Sequence, residues 1–204
     1  MTYSDGYLAE THALLDALDP SAIERLAGGL ARVREGGGRL FVLGVGGSAG
    51  HAGHAVNDFR KLCSFEAYAP TDNVSELTAR ANDEGWDTIF SEWLRTSRIS
   101  SRDAVLIFSV GGGSRDRNVS ANLVRALEVA REQGSRIFGI VGRDGGATRE
   151  YADVTVLVPP LFVDRVTPHT EGLCAVVWHL LVSHPVLQRV DTRWESLDPA
   201  GERL

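Results

Sequence analysis

Leu40-Phe41-Val42-Leu43-Gly44-Val45-Gly46-Gly47-Ser48-Ala49 is the stretch on which the reading of this chain turns. Its first four residues are all apolar, without the alternation of a half-exposed strand, which is the pattern of a parallel strand covered on both faces. The glycines that follow break the strand, and Ala49–Leu62 then reads as a helix. In such a turn the bare backbone N–H groups and the positive end of the next helix make a site for a phosphate. The same module recurs down the chain. Ala104–Phe108 runs into Ser109-Val110-Gly111-Gly112-Gly113-Ser114 and a helix over Val119–Glu132. Ile137–Val141 runs into Gly142-Arg143-Asp144-Gly145-Gly146, and Val154–Val158 forms a further strand. A weaker strand is expected over Glu66–Ala69, with helices over Trp86–Thr96 and Thr170–Ser183. Strand, glycine turn and helix in alternation predict βαβ units and a parallel sheet with helices on both faces.

Upstream, Leu8, Leu14, Leu15 and Leu18 recur at near-helical spacing, and Asp19-Pro20 supplies an N-cap and a first-turn proline for a second helix over Pro20–Glu35. Gly36-Gly37-Gly38 ends it. No linker divides residues 1–204, so one domain is expected, with residues 1–36 as two leading helices and residues 188–204 as a polar tail. The 204 residues are 43% hydrophobic and 24% charged, an ordinary globular profile. A net charge of -6 argues against a nucleic-acid partner, which calls for a basic face. Cys63 and Cys174 form no C-x-x-C pair and read as buried thiols in a reducing compartment. The first residues lack the features of a signal peptide, and no apolar run approaches the ~18 residues of a membrane span, so no membrane partner is expected and the chain is placed in the cytoplasm.

Two Gly/Ser turns at strand ends can face one crevice and hold a single phosphate ester. Ser48, Ser109 and Ser114 would donate hydroxyl hydrogen bonds there, with Gly46, Gly47 and Gly111 contributing backbone. Gly44-x-Gly46-x-x-Ala49, with Glu66 downstream, also satisfies a relaxed dinucleotide pattern; the second loop weighs against that reading. The third turn, around Arg143, reads chiefly as structural. On the helix after the first loop, His51, His54 and Asp58 fall at i, i+3 and i+7 and share a face. A histidine and a carboxylate four apart can bind a divalent metal or act as an acid/base pair. Glu171 and His179 interrupt an apolar helix, where a charge or imidazole needs a reason. His169 and His184 flank that helix and read as capping or surface groups.

On these residues the chain resembles the SIS (sugar isomerase) domain and, within it, the phosphoheptose isomerases. The resemblance spans nearly the whole chain. Its most specific pieces are Gly46-Gly47-Ser48, His54 with Asp58, the run Ala81-Asn82-Asp83-Glu84-Gly85-Trp86-Asp87-Thr88-Ile89-Phe90, the Ser109–Ser114 loop, and Glu171 with His179. It implies a flavodoxin-like α/β fold and conversion of sedoheptulose 7-phosphate to D-glycero-D-manno-heptose 7-phosphate. It also implies zinc or another divalent ion on His54, Asp58, Glu171 and His179, with Asp58 as base and His179 as acid, and Asn82, Asp83 and Glu171 at the substrate. This sequence departs from the family pattern at Val45, Asp58, Leu62, Val110-Gly111, Pro168 and Glu171. Eight residues separate Glu171 from His179, about 12 Å of helix at ~1.5 Å per residue, so the site is expected to be completed across the interface of a homotetramer packed through its N-terminal helices. Isomerisation of another sugar phosphate, or a non-catalytic phosphosugar-binding regulator, is the alternative.

Overall fold

A computed structural model describes residues 2–191. Its elements run α1 (Tyr3–Asp16), α2 (Pro20–Glu35), β1 (Leu40–Leu43), α3 (Gly47–Cys63), β2 (Ala67–Tyr68), α4 (Val74–Asp83), α5 (Ile89–Thr96), β3 (Ala104–Ser109), α6 (Ala121–Glu132), β4 (Arg136–Gly142), α7 (Gly146–Tyr151), β5 (Val154–Val158) and α8 (Val166–Val182). The strands pair in parallel in the order β2-β1-β3-β4-β5.

Strand alternation explains the unbroken apolar runs. Leu40, Val42, Ala104, Leu106, Phe108, Phe138 and Ile140 face one core with α2, α3 and α8. Phe41, Leu43, Val105, Ile107 and Ile137 face the other core with α5 and α6. The central strands β1, β3 and β4 therefore lose apolar surface to water on both sides, at roughly 25 cal/mol per Å². Helix α2 opens as its sequence dictates, with Asp19 accepting from the Ser21 N–H (2.9 Å) ahead of Pro20, a cap of about 1 kcal/mol. At the amino edge of the sheet, the buried Asp103 accepts from the Arg39 backbone N–H (2.9 Å) and guanidinium (2.8 Å) and from Ser100. Burial works to raise the Asp103 carboxyl, but the hydrogen bonds from Arg39 and Ser100 outweigh it and hold it below the ordinary range.

Several elements differ from the sequence reading, most of them by one or two residues and four by more. Helix α4 has no fully buried residue; Leu77 and Ala81 pack half-buried against the second core, a stripe too short to stand out in the sequence. Helix α5 starts at Ile89 rather than Trp86. Helix α6 starts at Ala121 because Val119 is bridged to Ser114 and Ser120 adopts left-handed φ. Helix α8 begins four residues early and takes Pro168 into its first turn, where a missing N–H costs nothing. The apolar face of α2 is satisfied by its own sheet, with Leu26, Ala27 and Leu30 fully buried. That leaves α1, with Tyr3, Leu8 and Leu15 exposed, as the leading helix with uncovered apolar surface. The start of the polar tail is docked at home, since the N–H groups of Arg189 and Val190 donate to Leu62 O (2.8 and 3.1 Å); residues 192–204 lie outside the described region.

Candidate active site

Strand order reverses between β1 and β3: the connection from β1 leads to β2 on one side, and that from β3 leads to β4 on the other. In an open parallel sheet this splays the loops at the strands' carboxyl ends and leaves a crevice. Here it has a volume of about 430 Å³ and is lined by Val45, Ser48, Ser109, Gly111, Ser114 and Glu171 among others.

The crevice is prepared for an anion by its own hydrogen bonds. Ser109 Oγ accepts from the Gly112 N–H (3.0 Å), and Ser114 Oγ accepts from Arg117 N–H (3.3 Å) and Nε (3.4 Å). Each oxygen is thus engaged as an acceptor while its own proton stays free to donate to a ligand. Ser48 is buried in the first turn of α3, behind Gly46 at φ +64° and Gly47. The third glycine turn buttresses the second. A β-carbon on Gly112 would lie 1.9 Å from Gly145 O, and one on Gly146 would lie 2.2 Å from Gly113 O. Ala147 and Thr148 donate back to Gly113 O and Gly112 O (2.9 Å each). Only glycines permit this backbone-on-backbone contact.

Two turns further along α3 and α8 lies the second constellation. Potential ligand atoms of His54, Asp58 and His179 all fall within 4.8 Å of one another. His54 Nε2 stands 3.7 Å from Asp58 Oδ2, and Asn57 donates to Asp58 Oδ1 (2.8 Å). His179 Nδ1 is 2.7 Å from Ala175 O, a contact that requires a proton on Nδ1 and so leaves the neutral ring's lone pair on Nε2. The buried Trp178 indole fixes both rings, stacking on His179 (centroids 3.5 Å) and meeting His54 edge-on (4.7 Å). The donors of this trio, two imidazoles and a carboxylate in close reach, suit zinc or a similar divalent ion.

The structure thus brings together three of the four expected metal ligands and places the fourth elsewhere. Glu171 belongs to the crevice: a β-carbon on Gly47 would lie 2.6 Å from its Oε1. The two-turn offset along α8 separates it from His179, as the helix rise requires. His51 lies outside the trio. Asn82 and Asp83 end α4, exposed and bonded to each other (2.7 Å), and do not line the crevice of their own chain. His169 is buried rather than a surface cap: it bonds Glu10 of α1 (2.8 Å) and stacks on Tyr7. His184 meets Glu24 at 3.2 Å. Cys63 and Cys174 are buried, and desolvation raises both thiols, Cys63 to about 11. The sequence reading did not single out Arg117, Ser120 and Thr167 at the crevice, or Arg143 as more than a turn residue. The position of Arg143 directly after a strand's carboxyl end is the signal that could have found it.

The SIS domain model matches residues 6–142. The chain belongs to the SIS domain family. Among relatives of this SIS chain, phosphoheptose isomerase from Geobacter sulfurreducens is 35% identical over 84% of the chain and 89% of its own length. The lincomycin biosynthesis protein LmbN from Streptomyces lincolnensis is 34% identical over 87% of the chain, which spans 66% of that protein. Among solved structures, phosphoheptose isomerase from Neisseria gonorrhoeae superposes with a TM-score of 0.76 over 88% of this chain and 95% of its own, at 24% identity, a likeness of fold. The SIS chain is therefore of phosphoheptose isomerase type. No helix among its described residues is long and apolar enough to cross a membrane.

Proposed function

We propose that this SIS chain is an aldose–ketose isomerase that converts sedoheptulose 7-phosphate to D-glycero-D-manno-heptose 7-phosphate in the cytoplasm. The observation that carries the reading is the pairing of a hydroxyl-lined anion crevice with a carboxylate–imidazole trio on the same two helices. The likeness to phosphoheptose isomerases supports a seven-carbon sugar phosphate as the substrate.

The crevice holds the phosphoryl group through Ser48, Ser109, Ser114 and the backbone of Gly46, Gly47 and Gly111. Asp58 takes a proton from C1 of the ketose and returns it to C2 of the enediol. His179, whose Nε2 lone pair faces outward, takes the proton from O1 and passes it to O2, so the step is neutral overall. His54 and Asp58 would hold zinc or a similar divalent ion, which when bound polarises the carbonyl as a Lewis acid, with His179 joining them as a ligand only where its Nε2 is not relaying a proton. Glu171, at the crevice wall, accepts from sugar hydroxyls instead of completing that ligand set within its own chain.

The crevice and the trio stand about 12 Å apart along α8, and the trio is exposed beside Val176 (46% exposed) and Leu180 (40%). Apolar side chains around polar reactive groups mark a face that a partner covers. The reading is a homo-oligomer, a tetramer, in which the trio of one copy meets the crevice, and the Asn82–Asp83 segment, of another. Incubation with sedoheptulose 7-phosphate, followed by NMR, should show the aldose 7-phosphate appearing, and dialysis against chelator should abolish it. A protein that binds the sugar phosphate without turnover when zinc is supplied would instead be a phosphosugar-binding regulator.

A further inference from the structure

Arg143 follows β4 directly, with left-handed backbone at φ +54°. Its side chain runs alongside Gly111: a β-carbon there would lie 3.6 Å from Arg143 Cδ and 4.0 Å from Nε. Val110 and Gly111 carry no side-chain donor, so the guanidinium stem passes where the β3 loop is chemically bare. Both Arg143 and Arg117 line the crevice.

Neither guanidinium is neutralised among the described residues. Asp144, next to Arg143, spends its Oδ1 on the Gly146 N–H (3.1 Å), and the side-chain contact of Arg117 is to Ser114 Oγ. Arg115 and Arg125, on the nearby loop and helix, are by contrast paired with Glu128 and Asp87. Glu171 adds one negative charge to the crevice wall, and two unpaired guanidinium groups outweigh it. A planar fork of donors without a carboxylate, beside free hydroxyl protons and backbone N–H groups, matches the oxygens of a phosphate dianion.

We propose that Arg143, with Arg117 in the same crevice, grips the substrate's phosphoryl group and supplies the charged donors that Val110 and Gly111 lack. The proposal rests on the isomerase reading for the identity of the sugar but not for the identity of the anion.

The test compares wild type, Arg143→Gly, Arg143→Lys and Arg117→Gln, with Arg102→Gln as a charge control on an exposed residue at the amino end of the sheet. Glycine suits the left-handed backbone at position 143, so an unchanged Tm reports an intact fold. Calorimetry measures binding of inorganic phosphate, and steady-state assays measure turnover of sedoheptulose 7-phosphate. Arg143→Gly should weaken phosphate binding and raise KM by about tenfold or more, with kcat within about twofold. Arg143→Lys should recover part of the loss, Arg117→Gln should weaken binding less, and Arg102→Gln should change nothing. Unchanged phosphate affinity and KM in Arg143→Gly, in an enzyme that turns over the sugar, overturns the proposal and leaves the isomerase reading standing. Phosphate binding that depends on Arg143, in a protein that never isomerises the sugar, supports the clamp and defeats the isomerase reading instead.

Discussion

The crevice and the trio are built on opposite principles. In the crevice, position is set by backbone: two glycine turns press together, and serine oxygens are already committed as acceptors. In the trio, position is set by side-chain packing on Trp178, and His54 and His179 remain open to solvent. A rigid binding end can be complete within one chain. An exposed reactive end acquires the dry, low-dielectric surroundings that proton transfer needs only when something covers it. The contrast makes binding and chemistry separable by mutation.

The largest expected effect is at the trio. Asp58→Asn should cut kcat by about a hundredfold to ten-thousandfold, while calorimetry shows inorganic phosphate binding as wild type does; lost phosphate binding would show that the two regions are not separable. Next comes the backbone of the crevice. Gly112→Ala places a β-carbon 1.9 Å from Gly145 O at φ +70°, and should lower stability by about 2–4 kcal/mol in a denaturant titration. Ser48→Ala removes one donor to a dianion, worth about 1.5–3 kcal/mol, and should appear in KM rather than kcat.

A smaller effect probes the clasp between α1 and the start of α8, whose Thr167 and Glu171 line the crevice. Glu10 accepts from Arg165 and bonds His169, and those hydrogen bonds, Arg165's foremost, hold its carboxyl down at about 2. A depressed carboxyl stabilises the fold fully above its unfolded pKa, near ~4.3. That contribution should fade as pH falls from there toward 2, so Glu10→Gln should flatten the acid limb of a Tm-versus-pH profile. An unaltered acid limb would mean the clasp adds nothing to stability.

How much of this was legible in the sequence follows from where the signals come from. Leu40–Leu43 was read to the residue because burial on both faces writes an unbroken apolar run, and Val154–Val158, an edge strand only partly buried, because β-branched residues dominate it. Helix α4 was missed because its apolar residues Leu77 and Ala81 are few and only half-buried, and α7 because six residues after a glycine turn are too short to show a helical period. His54, Asp58 and His179 were found because polar groups at helical spacing on buried helices stand out. Glu171 was grouped with them wrongly for a single chain, since residue type does not reveal that two turns of α8 carry it to Gly47. Arg143 was passed over for another reason: its place after β4 is a signal, but exposed arginines in turns are common, and only tertiary structure shows it beside Gly111 with no acid paired to it among the described residues.

The central claim, that one chain's crevice and another chain's trio meet on a single sugar phosphate, is tested most directly by subunit complementation. Asp58→Asn and the double variant Ser48→Ala/Ser114→Ala, each nearly inactive alone at sedoheptulose 7-phosphate well below the double variant's KM, would be co-expressed, purified as mixed oligomers and assayed at that concentration. Turnover well above the sum of the two variants, from sites that combine an intact crevice with an intact trio, is the expected result. Mixed oligomers no more active than that sum would contradict it.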